Sequence, residues 1–335
     1  MRKVSIILPC KDSANTIRAC LDSIARLSYP KQFFELIVVD GNSQDDSEEI
    51  IEKFEEDNPD LNLKFLKEEG KFGAGYGINL GLKAAENEVI AFTNADCEVD
   101  KDWLERLMEP FKDDGVAGVA GVVITPENVN LLQKLIGYEL EYRYSTLKEY
   151  LLSAPEMNLA YRKDVLEELG GFDSRNFKTA YDVDMAYRVN KAGRKIVFCP
   201  KATVRHYHRG TLREYWGQQV VAAENRIGVI RKHLYGIKGD NFANKFLMAQ
   251  PVLVSAIAIC LPLLVYIRLL TMPFCLLVAL YLGLNLIYAL SIFVRFPFLR
   301  TLLIFPLNIL RGIALTVGMT KGLLALVFKK ASRPI

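Results

Sequence analysis

The 335-residue chain has only three histidines, and its six cysteines (Cys10, Cys20, Cys97, Cys199, Cys260, Cys275) contain no CxxC pair. That excludes a zinc ribbon or thioredoxin-type motif and reads as reduced, mostly buried thiols in a cytosolic setting. Charge of one sign is also missing. Lys and Arg number 42 against 39 Asp and Glu, a net +3, which offers no electrostatic footprint for nucleic acid. The first strand turn, Pro9-Cys10-Lys11-Asp12-Ser13, has no GxGxxG, which argues against a dinucleotide-binding Rossmann domain. The Gly73-Ala74-Gly75-Tyr76-Gly77 stretch lacks the GK[ST] ending of a Walker A loop. Met1-Arg2-Lys3 leads into a strand too short for a signal-peptide core and ended by Pro9, so no cleavable leader is expected. Long apolar runs are absent before about Phe246 and dominate after it.

The part before Phe246 alternates strand and helix patterns. Val4-Ser5-Ile6-Ile7-Leu8-Pro9, Phe34 to Asp40, Leu63 to Leu66 and Val89 to Thr93 read as strands. Ser13 to Leu27, Ser47 to Phe54 and Ile78 to Ala85 read as helices, the last opened by a flexible loop at Gly73 to Gly77. Alternation of this kind predicts an α/β, doubly wound, mainly parallel sheet. The glycines of the loop either let a backbone approach a phosphate or simply supply positive φ.

The organising stretch is Val89-Ile90-Ala91-Phe92-Thr93-Asn94-Ala95-Asp96-Cys97. It is a buried strand with a carboxylate at its carboxyl end, the side on which open parallel sheets bind ligands. An acid there is well sited to hold a divalent cation against a diphosphate. The competing reading makes Asp96 or Asp100 the cap of a helix starting near Trp103.

Further motifs follow in order. They are Val38-Val39-Asp40-Gly41-Asn42-Ser43-Gln44-Asp45, Met157-Asn158-Leu159-Ala160-Tyr161-Arg162, Gly170-Gly171-Phe172-Asp173, Tyr181-Asp182-Val183-Asp184 through Arg188, Ala192-Gly193 and Val204-Arg205-His206. Together with the first strand and Thr93 to Cys97, their order and spacing resemble the family 2 glycosyltransferases with a GT-A fold, over about residues 1–219. The resemblance implies a nucleotide-diphospho-sugar transferase with a Rossmann-like sheet. Asp40 would accept a hydrogen bond from the nucleotide base, with Pro9 and Lys11 lining the same pocket; otherwise Asp40 only forms the turn before Gly41. Gly73, Gly75 and Asn79 join them as donor-binding candidates. The family's DxD motif falls on Asn94-Ala95-Asp96, with Asn in place of the first acid. Asp96 would hold Mg2+ or Mn2+ against the diphosphate. His206 either reaches the same centre or is a loop residue. Asp182 falls on the family's catalytic base, which takes the proton of the acceptor hydroxyl in an inverting transfer. Tyr181 stands where the family carries Glu. Asp182 and Asp184 also suit the first turn of a helix. The Gln-x-x-Arg-Trp motif of processive synthases is absent from Trp216-Gly217-Gln218-Gln219, which favours transfer of a single sugar.

Phe246 to Ile267 and Leu269 to Val294 each exceed the roughly 20 residues that span a bilayer, with Arg268 between them. Arg226, Arg231, Lys232, Lys238 and Lys245 precede the pair, and Arg295 and Arg300 follow it. Both ends are therefore expected on the cytoplasmic side of a multi-pass cell-membrane protein. Thr301 to Phe328 is interrupted by Arg311 and Lys321 and reads first as a third span, with an in-plane amphipathic helix as the alternative that Lys329, Lys330 and Arg333 after it favour. Thr211 to His233 reads as an interfacial amphipathic helix or as an ordinary packed one. The expected division is a GT-A domain at 1–210, a juxtamembrane segment at 211–245 and a transmembrane region at 246–330. Expected partners are a nucleotide-diphospho-sugar donor, a lipid-linked or glycan acceptor and membrane lipids. The alternatives are a polyprenyl-phosphate sugar synthase and a degenerate, non-catalytic nucleotide-sugar-binding protein.

Overall fold

The two most apolar early runs become neighbouring parallel strands, β1 (Val4–Cys10) and β2 (Phe34–Asp40). The computed structural model describes residues 1–70, 73–233, 240–242 and 245–331; Lys238 and Arg333 lie outside them. The chain divides into two compact units, Met1–Val129 with Tyr144–His208, and Asn130–Arg143 with Arg209–Ile335.

The first unit adds β3 (Leu63–Lys67), β4 (Val89–Phe92), β5 (Cys97–Val99), β6 (Val116–Ile124), β7 (Leu159–Arg162) and β8 (Lys195–His206), in the order β3-β2-β1-β4-β7-β6-β8-β5. The half from β3 to β4 is wholly parallel. The other half is mixed, with β7 antiparallel to both β4 and β6. Because β2 and β4 lie on opposite sides of β1, the strand order reverses there. The crevice beyond such a switch point is where ligands bind. Helices α1 (Ile17–Ala25), α2 (Ser47–Asp57), α3 (Ala74–Ala84) and α4 (Trp103–Met108) precede α5 (Leu131–Tyr144), which belongs largely to the second unit. α6 (Lys163–Glu168) and α7 (Tyr181–Lys191) return to the first. One face of the sheet buries Ile6, Leu8, Ile17, Leu21, Ile24, Trp103 and Phe111 completely. Each such side chain contributes about 1.5–3 kcal/mol.

Two local expectations change. Helix α3 begins at Ala74, so Gly75 and Gly77 lie in its first turns rather than in a loop. They are buried by close packing: a Cβ at Gly75 would come within 2.9 Å of the Tyr181 ring, and one at Gly81 within 2.7 Å of Ile7. Of these glycines only Gly73 has positive φ, at 91°. Asp96 is not a helix cap, because β5 follows it directly and α4 starts only after Asp102. The Asp100 carboxylate is paired with Arg205 instead.

The second unit contains α5, α8 (Leu212–Lys232), α9 (Lys245–Leu263), α10 (Thr271–Phe293), α11 (Phe298–Leu302) and α12 (Ile304–Ala331). α8 opens on a capping box in which Thr211 and Glu214 bond each other's backbone N–H at 3.2 Å. Among the described residues three stretches, Lys245–Leu263, Arg268–Phe293 and Arg300–Phe328, are long and apolar enough to cross a membrane. The charge inside the third has a partner. Arg311, 4% exposed, donates to Glu139 of α5 at 2.9 Å. Glu139 also accepts from Arg143 at 2.9 Å and from the Tyr288 hydroxyl at 2.6 Å. Burial works against the Glu139 charge, but Arg143 and Arg311 outweigh it and hold the carboxyl at about 2. Further along α12, Gly318 and Gly322 lie against Val220, Ala223, Glu224 and Ile227 of α8.

Breaking one side of a buried pair costs about 3–5 kcal/mol, whereas replacing both sides is far milder. Arg311→Leu should therefore lower the thermal midpoint of the detergent-purified chain more than the double change Glu139→Gln with Arg311→Leu does. With Glu139→Gln measured alone as well, a double-variant loss equal to the sum of the two single losses would show that the pair does not couple.

Candidate active site

A cavity opens at the carboxyl ends of β1 and β4. Pro9, Lys11, Glu68, Gly73, Asn94, Asp96 and Glu156 are among its lining residues. Its floor is held rigid by interlocked turns. Ser43 Oγ accepts from the Asp12 N–H at 2.8 Å, Asp12 accepts from the Gln44 N–H at 2.7 Å, and Ser47 Oγ accepts from the Ser13 N–H at 2.8 Å. Asp12 and Asn42 take positive φ (48° and 63°) to make these turns.

Asp40 is buried, and both its oxygens accept from Ser43, the backbone N–H at 3.0 Å and the hydroxyl at 2.5 Å. Its neighbour Gly41 lines the cavity. A carboxylate has about four lone-pair sites, so this turn role leaves acceptor capacity for a base. Gly73 lies on the cavity wall and Gly75 is buried under Tyr181. Asn79 spends its carboxamide elsewhere, accepting from the Phe172 N–H at 2.8 Å and donating to the Phe172 carbonyl at 2.7 Å. It therefore positions the Gly170-Gly171-Phe172 loop.

Asp96 meets His206 because β5 pairs with β8 in the register Cys97↔His206. The Asp96 carboxylate stands 3.4 Å from His206 Nε2. Asp96, Cys97 and His206 form a group whose ligand atoms all lie within 4.8 Å of one another. Burial, with Asp96 beside it, pushes the Cys97 thiol well up, so it stays a neutral thiol and a poor ligand for a hard cation. Behind His206, its Nδ1 is 3.0 Å from His208 Nδ1, and His208 Nε2 is 3.1 Å from Thr125 Oγ1. The tautomer with His206 Nδ1–H donating to His208 would leave Nε2 its lone pair for a metal. Asn94 Oδ1 is buried with no hydrogen-bond partner in this lining. A carboxylate, an imidazole and an unspent carbonyl oxygen suit Mg2+ or Mn2+.

Asp182 lies in the first turn of α7, after Ala180 in the left-handed region at φ 65°. Its carboxyl hydrogen-bonds the Glu156 carboxyl and accepts the Glu156 backbone N–H. Burial, then the facing Glu156 charge, raise its proton affinity well above the usual carboxylate range. The Tyr181 hydroxyl donates to Glu156 Oε1 at 2.7 Å. The adjacent Asp184 is fully buried and bonded to Arg188 at 2.8 Å; Arg188 also donates to the Leu169 and Gly171 carbonyls at 2.7 Å. Asp184 is thus structural, and Asp182 is the acid that reaches toward the cavity through Glu156.

Glu68 and Glu156 are the site residues that the sequence reading omitted. Glu68 carried a usable signal, since it follows β3 as Asp40 ends β2. Its carboxylate accepts the backbone N–H groups of Gly73 and Gly77, and burial raises its pKa. Glu156 has no local signal. It joins the site only because β7 pairs antiparallel with β4.

A family model described as Glycosyl transferase family 2 matches residues 5–170. A second, Glycosyl transferase family group 2, matches residues 89–310. Glycosyltransferase AglE of Haloferax volcanii is 30% identical over 198 residues, 58% of this chain and 64% of that protein, so the match spans less than two thirds of the relative. The dolichyl N-acetyl-alpha-D-glucosaminyl phosphate 3-beta-D-2,3-diacetamido-2,3-dideoxy-beta-D-glucuronosyltransferase of Methanococcus voltae is 23% identical over 253 residues, 71% of this chain and 77% of that one. In structure, the mannosyltransferase PcManGT of Pyrobaculum calidifontis, solved with GDP-Man and Mn2+, superposes with a TM-score of 0.70 at 20% identity, covering 97% of this chain and 88% of that one. With its mixed eight-stranded sheet and a family-group match across well over half its length, the chain belongs to the family 2 glycosyltransferases and has the GT-A fold.

Proposed function

We propose that this protein is a membrane-anchored, metal-dependent, inverting transferase. It moves one sugar from a nucleotide-diphospho-sugar to a hydroxyl of a lipid-linked saccharide on the cytoplasmic face. The observation that carries this reading is that one cavity carries Asp96 and, through Glu156, adjoins Asp182. Asp96 lines it beside Asn94, and Asp182 is hydrogen-bonded to Glu156 on the same wall. The Methanococcus voltae relative is named for a lipid-linked acceptor sugar, which supports the acceptor class.

Asp96, His206 and Asn94 would hold Mg2+ or Mn2+, which supplies neutralisation of the departing nucleoside diphosphate. Lys11 adds a cation to the same wall. Pro9, Gly41 and Gly73 shape the donor cavity, and the Asp40 turn sets its floor. Asp182 takes the proton from the acceptor hydroxyl as that oxygen bonds the anomeric carbon and the bond to the β-phosphate breaks. A base on the face opposite the leaving group inverts the anomeric centre in one displacement.

The α9–α10 hairpin serves as the anchor, with α12 lying in the membrane plane. Its middle is paired to Glu139 and its Gly318 and Gly322 face rests on the polar helix α8, whereas Ile313, Val317, Leu324 and Phe328 are exposed for lipid. A membrane-impermeant maleimide applied to intact cells should label Arg268→Cys and spare Ala331→Cys. Labelling of both would mean that α12 crosses.

Two further outcomes test the chemistry. Asp96→Ala should abolish both turnover and the stabilisation by Mn2+ with nucleoside diphosphate seen in thermal melts; retention of that Mn2+ effect would contradict the metal assignment. Asp182→Asn should slow transfer at least about a hundredfold while nucleotide-sugar affinity stays nearly unchanged. A parallel loss of donor binding in titrations would place Asp182 in the donor site instead.

A further inference from the structure

We propose that Glu156 is a second acid of the acceptor site, and that the Tyr181–Glu156–Asp182 group selects a hydroxyl nucleophile and rejects a phosphate. The proposal rests on the transferase reading above and narrows its acceptor.

Three observations carry it. First, Glu156 is the point at which the donor cavity meets the base. It lines the cavity with Asp96 and Lys11, and its carboxyl bonds that of Asp182. Second, it is held from both sides. The Glu156–Asn158 turn is pinned through Asn158, which accepts from Trp103 Nε1 at 2.8 Å and donates to the Val122 and Ala202 carbonyls at 2.8 and 3.0 Å. On the other side the Tyr181 hydroxyl holds Oε1 at 2.7 Å. The Tyr181 ring is itself fixed edge-on to Phe172, with centroids 6.0 Å apart, and against the bare Cα of Gly75. Three elements thus aim one carboxyl. Third, the arginine on the base's own helix is not available to an anionic acceptor. Arg188 is committed to Asp184 and two carbonyls, and Tyr161, close enough to Asp182 to feel its charge, is buried with its hydroxyl unpartnered.

Two carboxyls that hydrogen-bond each other share one proton, so the pair carries a single negative charge. It can take one further proton. A neutral hydroxyl satisfies it by donating: the proton passes to the pair, the oxygen bonds the anomeric carbon, and the nucleoside diphosphate leaves with the bonding electrons. A phosphate acceptor brings no proton to donate at neutral pH and adds like charge beside the pair. Tyr181, in the position of the family's Glu, therefore does not remove the second acid from the site; it orients one supplied by another strand.

The test uses the full chain in detergent with Mn2+ and a panel of nucleotide-diphospho-sugars. Acceptors are water alone, a series of octyl glycosides, and farnesyl phosphate. The wild type should release nucleoside diphosphate with water or a glycoside and show no transfer to farnesyl phosphate. Glu156→Gln should lower kcat about tenfold or more with the donor KM unchanged. Tyr181→Phe should act on kcat in the same direction, and Glu156→Asp should recover part of the activity. Unchanged nucleoside diphosphate binding in thermal melts confirms that each variant is folded. Wild-type kcat in both Glu156→Gln and Tyr181→Phe overturns the role of Glu156 and leaves the transferase reading standing. Farnesyl phosphate accepted as readily as a glycoside overturns the selectivity. Absence of nucleoside diphosphate release from every donor with every acceptor removes the transferase reading and this proposal with it.

Discussion

The antiparallel pairing of β7 with β4 is the constraint on which the site depends. In the register Phe92↔Leu159, the carboxyl end of β4 lies beside the amino end of β7. Asn94 and Asp96 follow β4, and Glu156 and Asn158 precede β7. A parallel partner would have put the far end of its strand there, with Glu156 a strand length away. On its other side β4 pairs parallel with β1, so Pro9 and Lys11 arrive at the same edge. One strand thus gathers one wall of the cavity from its parallel neighbour and another from its antiparallel one.

Much of this was legible from residue patterns. The strands at Val4, Phe34, Leu63 and Val89 were readable because each is a short run of apolar and β-favouring residues ended by a turn signal. Asp96 was readable as a strand-end acid. The helix at Tyr181 was legible from the acids of its first turn, Asp182 and Asp184. α3 starts earlier than its loop-like sequence suggests for a physical reason: Gly75 and Gly77 sit where Tyr181 and Glu68 press on the helix, not where backbone freedom is needed. Glu156 was invisible because its partners, Tyr181 and Asp182, lie 25 residues or more along the chain. Packing of α7 beside the Glu156–Asn158 turn, which periodicity does not encode, brings them together.

The second unit shows the same limit. A single Arg in a long apolar run is costly unless a partner answers it. Arg311 signalled that need, but its answer, Glu139, comes from a helix inserted between two strands of the sheet. The pair ties α5 to α12 and makes the mid-helix charge a packing element. Residues Asn130–Arg143 join the second unit although they are flanked by the first in sequence, with Leu135 in the apolar cluster and Glu139 in the ionic one.

The central claim is that one cavity holds the donor diphosphate at Asp96 and presents its sugar to the Asp182–Glu156 pair. The most direct measurement is an experimental structure of the full chain with Mn2+ and a non-hydrolysable nucleotide-diphospho-sugar. The account predicts Mn2+ coordinated by Asp96, the diphosphate alongside Lys11, and the anomeric carbon open on its far face toward Asp182 and Glu156. A nucleotide seated away from β1 and β4, or the acid pair on the leaving-group side of the sugar, would contradict it.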